Sequence, residues 1–307
     1  MEKVSPEARG EDAMLYLRLV SGPLLALGGA GLLVADTFLG PYYPLLLLSS
    51  LACVLIASYE LNNLLPPPGP RTWLCYLGVT ALVLANWPAH LMQWSNAWHW
   101  IFGVFLIVFM ALFLAEGEAF RKPGGAVVRL GLSLLLVCYL GLLPAFVIQL
   151  RWLPMWEGTL ALAMTIFVPK LGDVGAFFVG RTFGRSRMTP VLSPGKTWEG
   201  FAGGLAVAVL VALLLNGLSG YVLERGTLLH WPNAVGFGLS VGIMGVLGDL
   251  MESLIKRDVE KKDASNLVPG FGGLLDVLDS VLFSAPVAYA WFAMPYVFAS
   301  TPPQLSQ

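Results

Sequence analysis

Apolar runs of about 20 residues recur along nearly the whole chain, and few folds accommodate that pattern. At about 1.5 Å rise per residue, one such run in helical form crosses a hydrocarbon core of roughly 30 Å. Nine spans are predicted, near residues 15–35, 42–60, 72–90, 98–116, 129–150, 159–180, 200–223, 233–252 and 278–298. Residues are 57% hydrophobic and only 12% charged, where a soluble globule carries about twice that charge. The expected fold class is an all-α polytopic integral membrane protein.

Basic residues set the expected orientation, because Lys and Arg stay on the cytoplasmic side of short loops. With the N-terminus inside, one set of segments carries Lys3, Arg9, Arg18, Arg71, Arg121, Lys122, Arg129, Arg181, Arg185, Arg187, Lys196, Lys256, Arg257, Lys261 and Lys262. The opposite set has Arg151 and Arg225, and Lys170 falls within a span. Nine crossings then put the C-terminus on the far side. The acidic leader and the full length of the first apolar run argue for a retained first helix rather than a cleaved signal. The net charge of −1 conceals this sidedness.

Four segments are expected: a polar leader, 1–14; a five-helix scaffold, 15–158; a four-helix half bearing the site, 159–298; and a short tail, 299–307. Trp87, Trp94, Trp98 and Trp100, with His90 and His99, read as an aromatic belt on the far side. Cys53, Cys75 and Cys138 lie in apolar spans without CxxC spacing and read as small buried hydrophobes.

Chemistry is concentrated in three clusters expected on the cytoplasmic face. In KLGDVGAFFVGRTFGR, residues 170–185, Lys170 and Asp173 share a helix face inside an apolar run. They read either as an ion pair joining helices or as the lining of a polar cavity. In SPGKTWEG, residues 193–200, Ser193 and Pro194 resemble a helix start, whose free amides with Lys196 suit a phosphate. Its GKT triplet lacks the first glycine of a P-loop and follows no predicted strand.

The third cluster, Ser253–Asp279, packs four basic and five acidic residues into an otherwise apolar chain. Asp249, Ser253 and Lys256 recur at i, i+4 and i+7 on one helix face, and Asp276 and Asp279 follow at i, i+3 after the turn PGFGG. Carboxylates from two helices make an oxygen-rich pocket suited to Mg²⁺, which relieves their mutual repulsion. Such a pocket, with several cations and a glycine turn, meets the needs of phosphoryl or nucleotidyl transfer. No Ser/His/Asp set is available, since all three histidines are expected on the opposite side.

These residues resemble the phosphatidate cytidylyltransferase family, the CDP-diacylglycerol synthases. Its signature SxΦKRx4KDx[GSA]xxΦPxHGGΦxDRΦD, Φ being apolar, is matched by Ser253, Lys256, Arg257, Lys262, Asp263, Ser265, Pro269, Gly272, Gly273, Asp276 and Asp279. The family's DxGAxFxGRxFG and SPxKTWEG elements are matched by residues 173–184 and 193–200, and the resemblance covers at least 165–285. Phe271 replaces the motif His and Val277 the motif Arg.

The resemblance implies transfer of CMP from CTP to phosphatidate, giving CDP-diacylglycerol and pyrophosphate. It implies Asp249, Asp276 and Asp279 as Mg²⁺ ligands, with Asp263 a further candidate. Lys196, Lys256, Arg257 and Lys262 would hold phosphates; Ser193, Thr197, Ser253, Gly272 and Gly273 would contact substrate; Asp173 and Glu199 would stand behind them. Expected partners are CTP, phosphatidate and membrane lipid, with no nucleic acid and a homodimer left open. The expected location is a bacterial inner membrane, with the site facing the cytoplasm. The alternatives are a CTP-dependent lipid kinase, a cytidylyltransferase for an isoprenoid lipid phosphate, a catalytically impaired relative, and an ion-coupled transporter.

Overall fold

The computed structural model describes residues 22, 24, 27–92, 96–153, 156–224, 226–265, 267 and 272–298, with backbone alone for 294–298. The leader, the tail, most of the first predicted span, Trp94, Arg225, Pro269 and Phe271 lie outside the described residues. Helices dominate because, within a bilayer, every backbone polar group must be paired inside its own segment. After α1, Leu27–Thr37, eight spans among the described residues are long and apolar enough to cross a membrane. They are α2 (Pro44–Leu64), α3 with the short α4 (Thr72–Leu84, Pro88–Leu91) and α5 (Ala97–Ala119). There follow a composite span of α6 (Ala126–Val137), a π-turn (Cys138–Leu142), α7 (Leu143–Gln149) and a 3₁₀ turn (Leu150–Trp152). Then come α8 (Trp156–Phe183), α9 (Trp198–Leu223), α10 (Trp231–Asp258) and α11 (Leu274–Phe298). The chain is an all-α polytopic membrane protein. Its helices turn many large apolar side chains outward, among them Leu77, Leu106, Leu114 and Leu214, as a lipid solvent requires.

Two features differ from expectation. A short antiparallel ribbon, β1 (Arg187–Thr189) and β2 (Ser193–Thr197), joins α8 to α9. Ser193 is therefore in a strand, not at a helix start. The cap is Thr197, whose Oγ1 accepts from the Gly200 amide at 3.1 Å, because its extended backbone leaves the hydroxyl over the first turn. In the aromatic belt, Trp87 is 6% exposed and donates to the Tyr42 carbonyl at 2.8 Å, while His90 stacks on Trp152 at 4.2 Å. The Trp152 ring packs against both, so Trp87 is buried in the bundle and His90 partly so; Trp100 remains exposed.

Close approach of helices positions the site. Between α8 and α9, Gly172 meets Ala208 and Gly204 meets Ala176, so the two axes pack with almost no side chain between them. Gly248 brings α10 against α11: a Cβ there would stand 2.5 Å from the Asp279 carbonyl oxygen. One core joins α2, α3, α5, α6 and α7; a second joins α8, α9 and α10. Helix α11 belongs to both, through Leu275 and Leu282 on one side and Ala288 and Phe292 on the other. Its first turns, carrying Asp276 and Asp279, are thus wedged at the junction.

Candidate active site

Because Gly248 lets α10 lie on α11, the α10 carboxylates face those of α11 at one end of the bundle. Oxygens of Asp249, Glu252 and Asp279 all lie within 4.8 Å of one another. A lysine holds each of them, two of the three coming from other elements. Lys196 of β2 is 2.9 Å from Asp249, Lys256 donates to Glu252 at 2.8 Å, and Lys170 of α8 donates to Asp279 at 2.9 Å. Lys170 also stands 3.8 Å from Asp173 on its own helix, but the pair that joins two helices is Lys170 with Asp279, and of the two α8 residues it is Asp173 that borders the cavity.

Asp276, expected among the metal ligands, sits outside this trio. Its Oδ1 accepts from Lys256 at 2.5 Å, and its Oδ2 accepts from the amides of Gly273 at 2.6 Å and Ala264 at 3.2 Å. It latches the loop to α11, and Glu252 occupies the place beside Asp249 and Asp279. In ionised form, Asp173, Asp249, Glu252, Asp276 and Asp279 outnumber Lys170, Lys196 and Lys256 by two. Glu252 is 1% exposed, and its Oε1 has no hydrogen-bond partner. A buried acceptor without a donor is costly. An all-oxygen trio, set among ionised carboxylates and lysines whose negative charges are two in excess, fits a hard divalent cation.

A cavity of about 540 Å³ opens beside the trio, bordered by Asp249, Asp173, Lys196, Ser193, Thr197 and the arginines 181, 185 and 187. Its rim is shaped by local bonding. Glu199 accepts from the Arg185 amide at 3.1 Å and the Ser186 amide at 3.2 Å, tying the end of α8 to the start of α9. Arg187 donates to the Pro194 carbonyl at 2.6 Å across the ribbon. Lys196 reaches down to the Val246 carbonyl at 3.3 Å.

Other expected residues stand apart. Arg257, in the last turn of α10, and Lys262 and Asp263, on the loop after it, are exposed and do not line the cavity; Arg257 donates to the Lys261 carbonyl at 2.9 Å. Ser253 is nearly buried, 3.5 Å from Asp249 Oδ1. The Gly273 amide is committed to Asp276, and Gly272 adopts φ +96°, which spares the turn a side-chain clash.

A sequence model described as the cytidylyltransferase family matches residues 23–294. The chain belongs to this family. Its match takes in the N-terminal spans, where the sequence motifs were silent. Among similar proteins, the phosphatidate cytidylyltransferase of Chlamydia muridarum is 30% identical over 258 residues, 80% of this chain and 81% of that protein. The one from Pseudomonas aeruginosa is 34% identical over 208 residues, 66% and 72% of the two chains. For the Haemophilus influenzae protein, identity is 38% over 141 residues, 45% of this chain and 47% of the relative. The chain thus spans about half the length of some curated relatives it matches, 59% for that of Bacillus subtilis.

In this cytidylyltransferase-family chain, four groups escaped the sequence reading. Glu252 is i+3 from Asp249 and i−4 from Lys256, a spacing as good as the one chosen through Ser253. Arg181 and Arg185 were within the first cluster without an assigned role and Arg187 counted as a marker of sidedness, yet all three wall the cavity. Tyr139, from the π-turn, is buried with its hydroxyl unpartnered, and its ring packs edge-on against Phe283 of α11. Glu60 of α2 is 1% exposed and accepts from the Leu274 and Leu275 amides at 2.9 and 2.7 Å and from Ser265 Oγ at 2.6 Å. A carboxylate at a helix N-terminus satisfies free amides and complements the dipole. Its one signal in sequence was a charge at the end of an apolar span. Glu60→Gln is expected to cost about 1–3 kcal/mol of stability and to lower turnover, read by thermal unfolding in detergent alongside activity. An unchanged unfolding midpoint would contradict the capping role.

Proposed function

We propose that the chain is a phosphatidate cytidylyltransferase, forming CDP-diacylglycerol and pyrophosphate from CTP and phosphatidate at the cytoplasmic face of a bacterial inner membrane. The observation that carries this is the meeting of a carboxylate trio with an arginine- and lysine-walled cavity at one end of a membrane bundle. The printed names of the Chlamydia and Pseudomonas relatives point the same way.

In the proposed reaction, an ionised oxygen of the lipid phosphate attacks the α-phosphorus of CTP. The bond from that phosphorus to the bridging oxygen of the β-phosphate breaks, and pyrophosphate leaves with the bond's electron pair. The attacking oxygen carries no proton near neutral pH, so no general base is required. Lys196 and the arginines 181, 185 and 187 hold the phosphates in line and offset their charge. Those arginines supply cations that the position of the family's motif Arg, here Val277, does not. Asp249, Glu252 and Asp279 would hold Mg²⁺, which supplies Lewis-acid polarisation of phosphoryl oxygens when bound. Lys170 and Lys256 fix the orientation of the carboxylates, and Asp276 fixes the loop.

The test is purified protein with phosphatidate, Mg²⁺ and CTP labelled at the α- or γ-phosphate. Label from the α position is expected in the lipid product, with pyrophosphate released in equal amount. Transfer of the γ label alone would instead identify a lipid kinase, and ion flux without nucleotide turnover a transporter.

A further inference from the structure

We infer that a groove between the β1–β2 ribbon, α9 and α10 holds one acyl chain of the lipid substrate and sets its chain-length preference; this rests on the cytidylyltransferase reading of the adjoining cavity. The groove has a volume of about 260 Å³ and shares Met188, Phe201 and Val246 with the polar cavity as a common wall. Beyond that wall its lining is apolar except for Thr189, and Trp198, Ile243 and Leu247 are 55%, 40% and 40% exposed on helices that cross the bilayer.

Continuity identifies the occupant. A lipid phosphate attacking in the polar cavity remains joined to its acyl chains through glycerol, and those chains must stay in apolar surroundings. Burial of each methylene is favourable, so the chain is drawn to an apolar recess that begins where the cavity ends. Among the described residues, the groove meets that condition. Ile243 and Leu250 are seven residues apart on α10, so the recess follows the helix for about 10 Å. Ile243 lies deeper than Asp249 along the helix, which directs the chain away from the charged trio into the membrane. Trp198 stands at the ribbon end, where an indole suits the boundary between apolar and polar layers.

Two measurements decide the matter. Leu247→Trp and Ile243→Trp fill the recess, and kcat/KM is compared for long-chain and dihexanoyl phosphatidate at saturating CTP. The ratio of long-chain to short-chain kcat/KM is expected to fall about tenfold in each variant. Unchanged ratios in both would overturn the groove. Independently of turnover, phosphatidate with a diazirine in its acyl chain is photo-crosslinked to the wild-type protein in phosphatidylcholine vesicles. Peptide mapping should place adducts on the groove residues of α9 and α10, with far fewer from phosphatidylcholine carrying the same diazirine. Adducts elsewhere, or equal labelling by both lipids, would mean an ordinary lipid-facing surface and sink the proposal. Wild-type protein making no CDP-lipid from either substrate would sink the enzymatic reading instead, leaving crosslinking to judge the groove.

Discussion

Asp279→Asn is expected to lower CMP transfer by about 10²- to 10³-fold at saturating CTP and phosphatidate, and Glu252→Gln to do the same. Both residues belong to the trio whose oxygens lie within 4.8 Å of one another. Removing either charge halves the local negative excess. The concentration of Mg²⁺ giving half-maximal rate should rise in both variants, while each still elutes from size exclusion as a folded species. Asp276→Asn separates this account from one in which all motif aspartates bind metal. Because Asp276 is bonded to Lys256 and two backbone amides, its loss should slow turnover and lower stability with little change in the Mg²⁺ requirement. A Mg²⁺ requirement equal to wild type in Glu252→Gln, and raised in Asp276→Asn, would reverse the assignment.

Lys256→Met should be the most destabilising single change in the site. Lys256 is 8% exposed and bridges Glu252 and Asp276, so its removal strands two buried carboxylates. Breaking a buried pair by deleting one partner costs about 3–5 kcal/mol, far more than the net worth of the intact pair. The thermal midpoint in detergent is expected to drop by about 10 °C, with turnover lost in parallel. Adding Asp276→Asn to Lys256→Met should restore part of the midpoint without restoring turnover, because the pair is coupled and one stranded charge is then gone. A single-variant midpoint within about a degree of wild type would show that Lys256 is not the bridge.

How much of this was legible beforehand depended on how local each interaction is. The apolar runs at 42–60, 98–116 and 200–223 reappear as α2, α5 and α9, since the length needed to cross a bilayer is written in consecutive residues. Helical spacing correctly put Lys170 beside Asp173 and Asp249 beside Ser253. The ribbon at 187–197 was missed because Ser-Pro is a good helix start in isolation; the real cap, Thr197, was four residues on. Glu60 was invisible for another reason, since its partners Ser265, Leu274 and Leu275 lie more than 200 residues away.

The sequence by itself determined that the chain crosses a membrane many times and that its charged motifs fall within the last four spans and the segments joining them. Those properties follow from hydropathy and from one-helix spacing, which neighbouring residues define. Only the tertiary structure decided that Glu252 rather than Asp276 completes the carboxylate trio, and that the arginines of the α8–α9 connection face it. Helix spacing offers several faces of α10 equally, and the face that matters is chosen by where Gly248 lets α11 dock. That contact joins residues distant in sequence, and no pattern within either helix contains it.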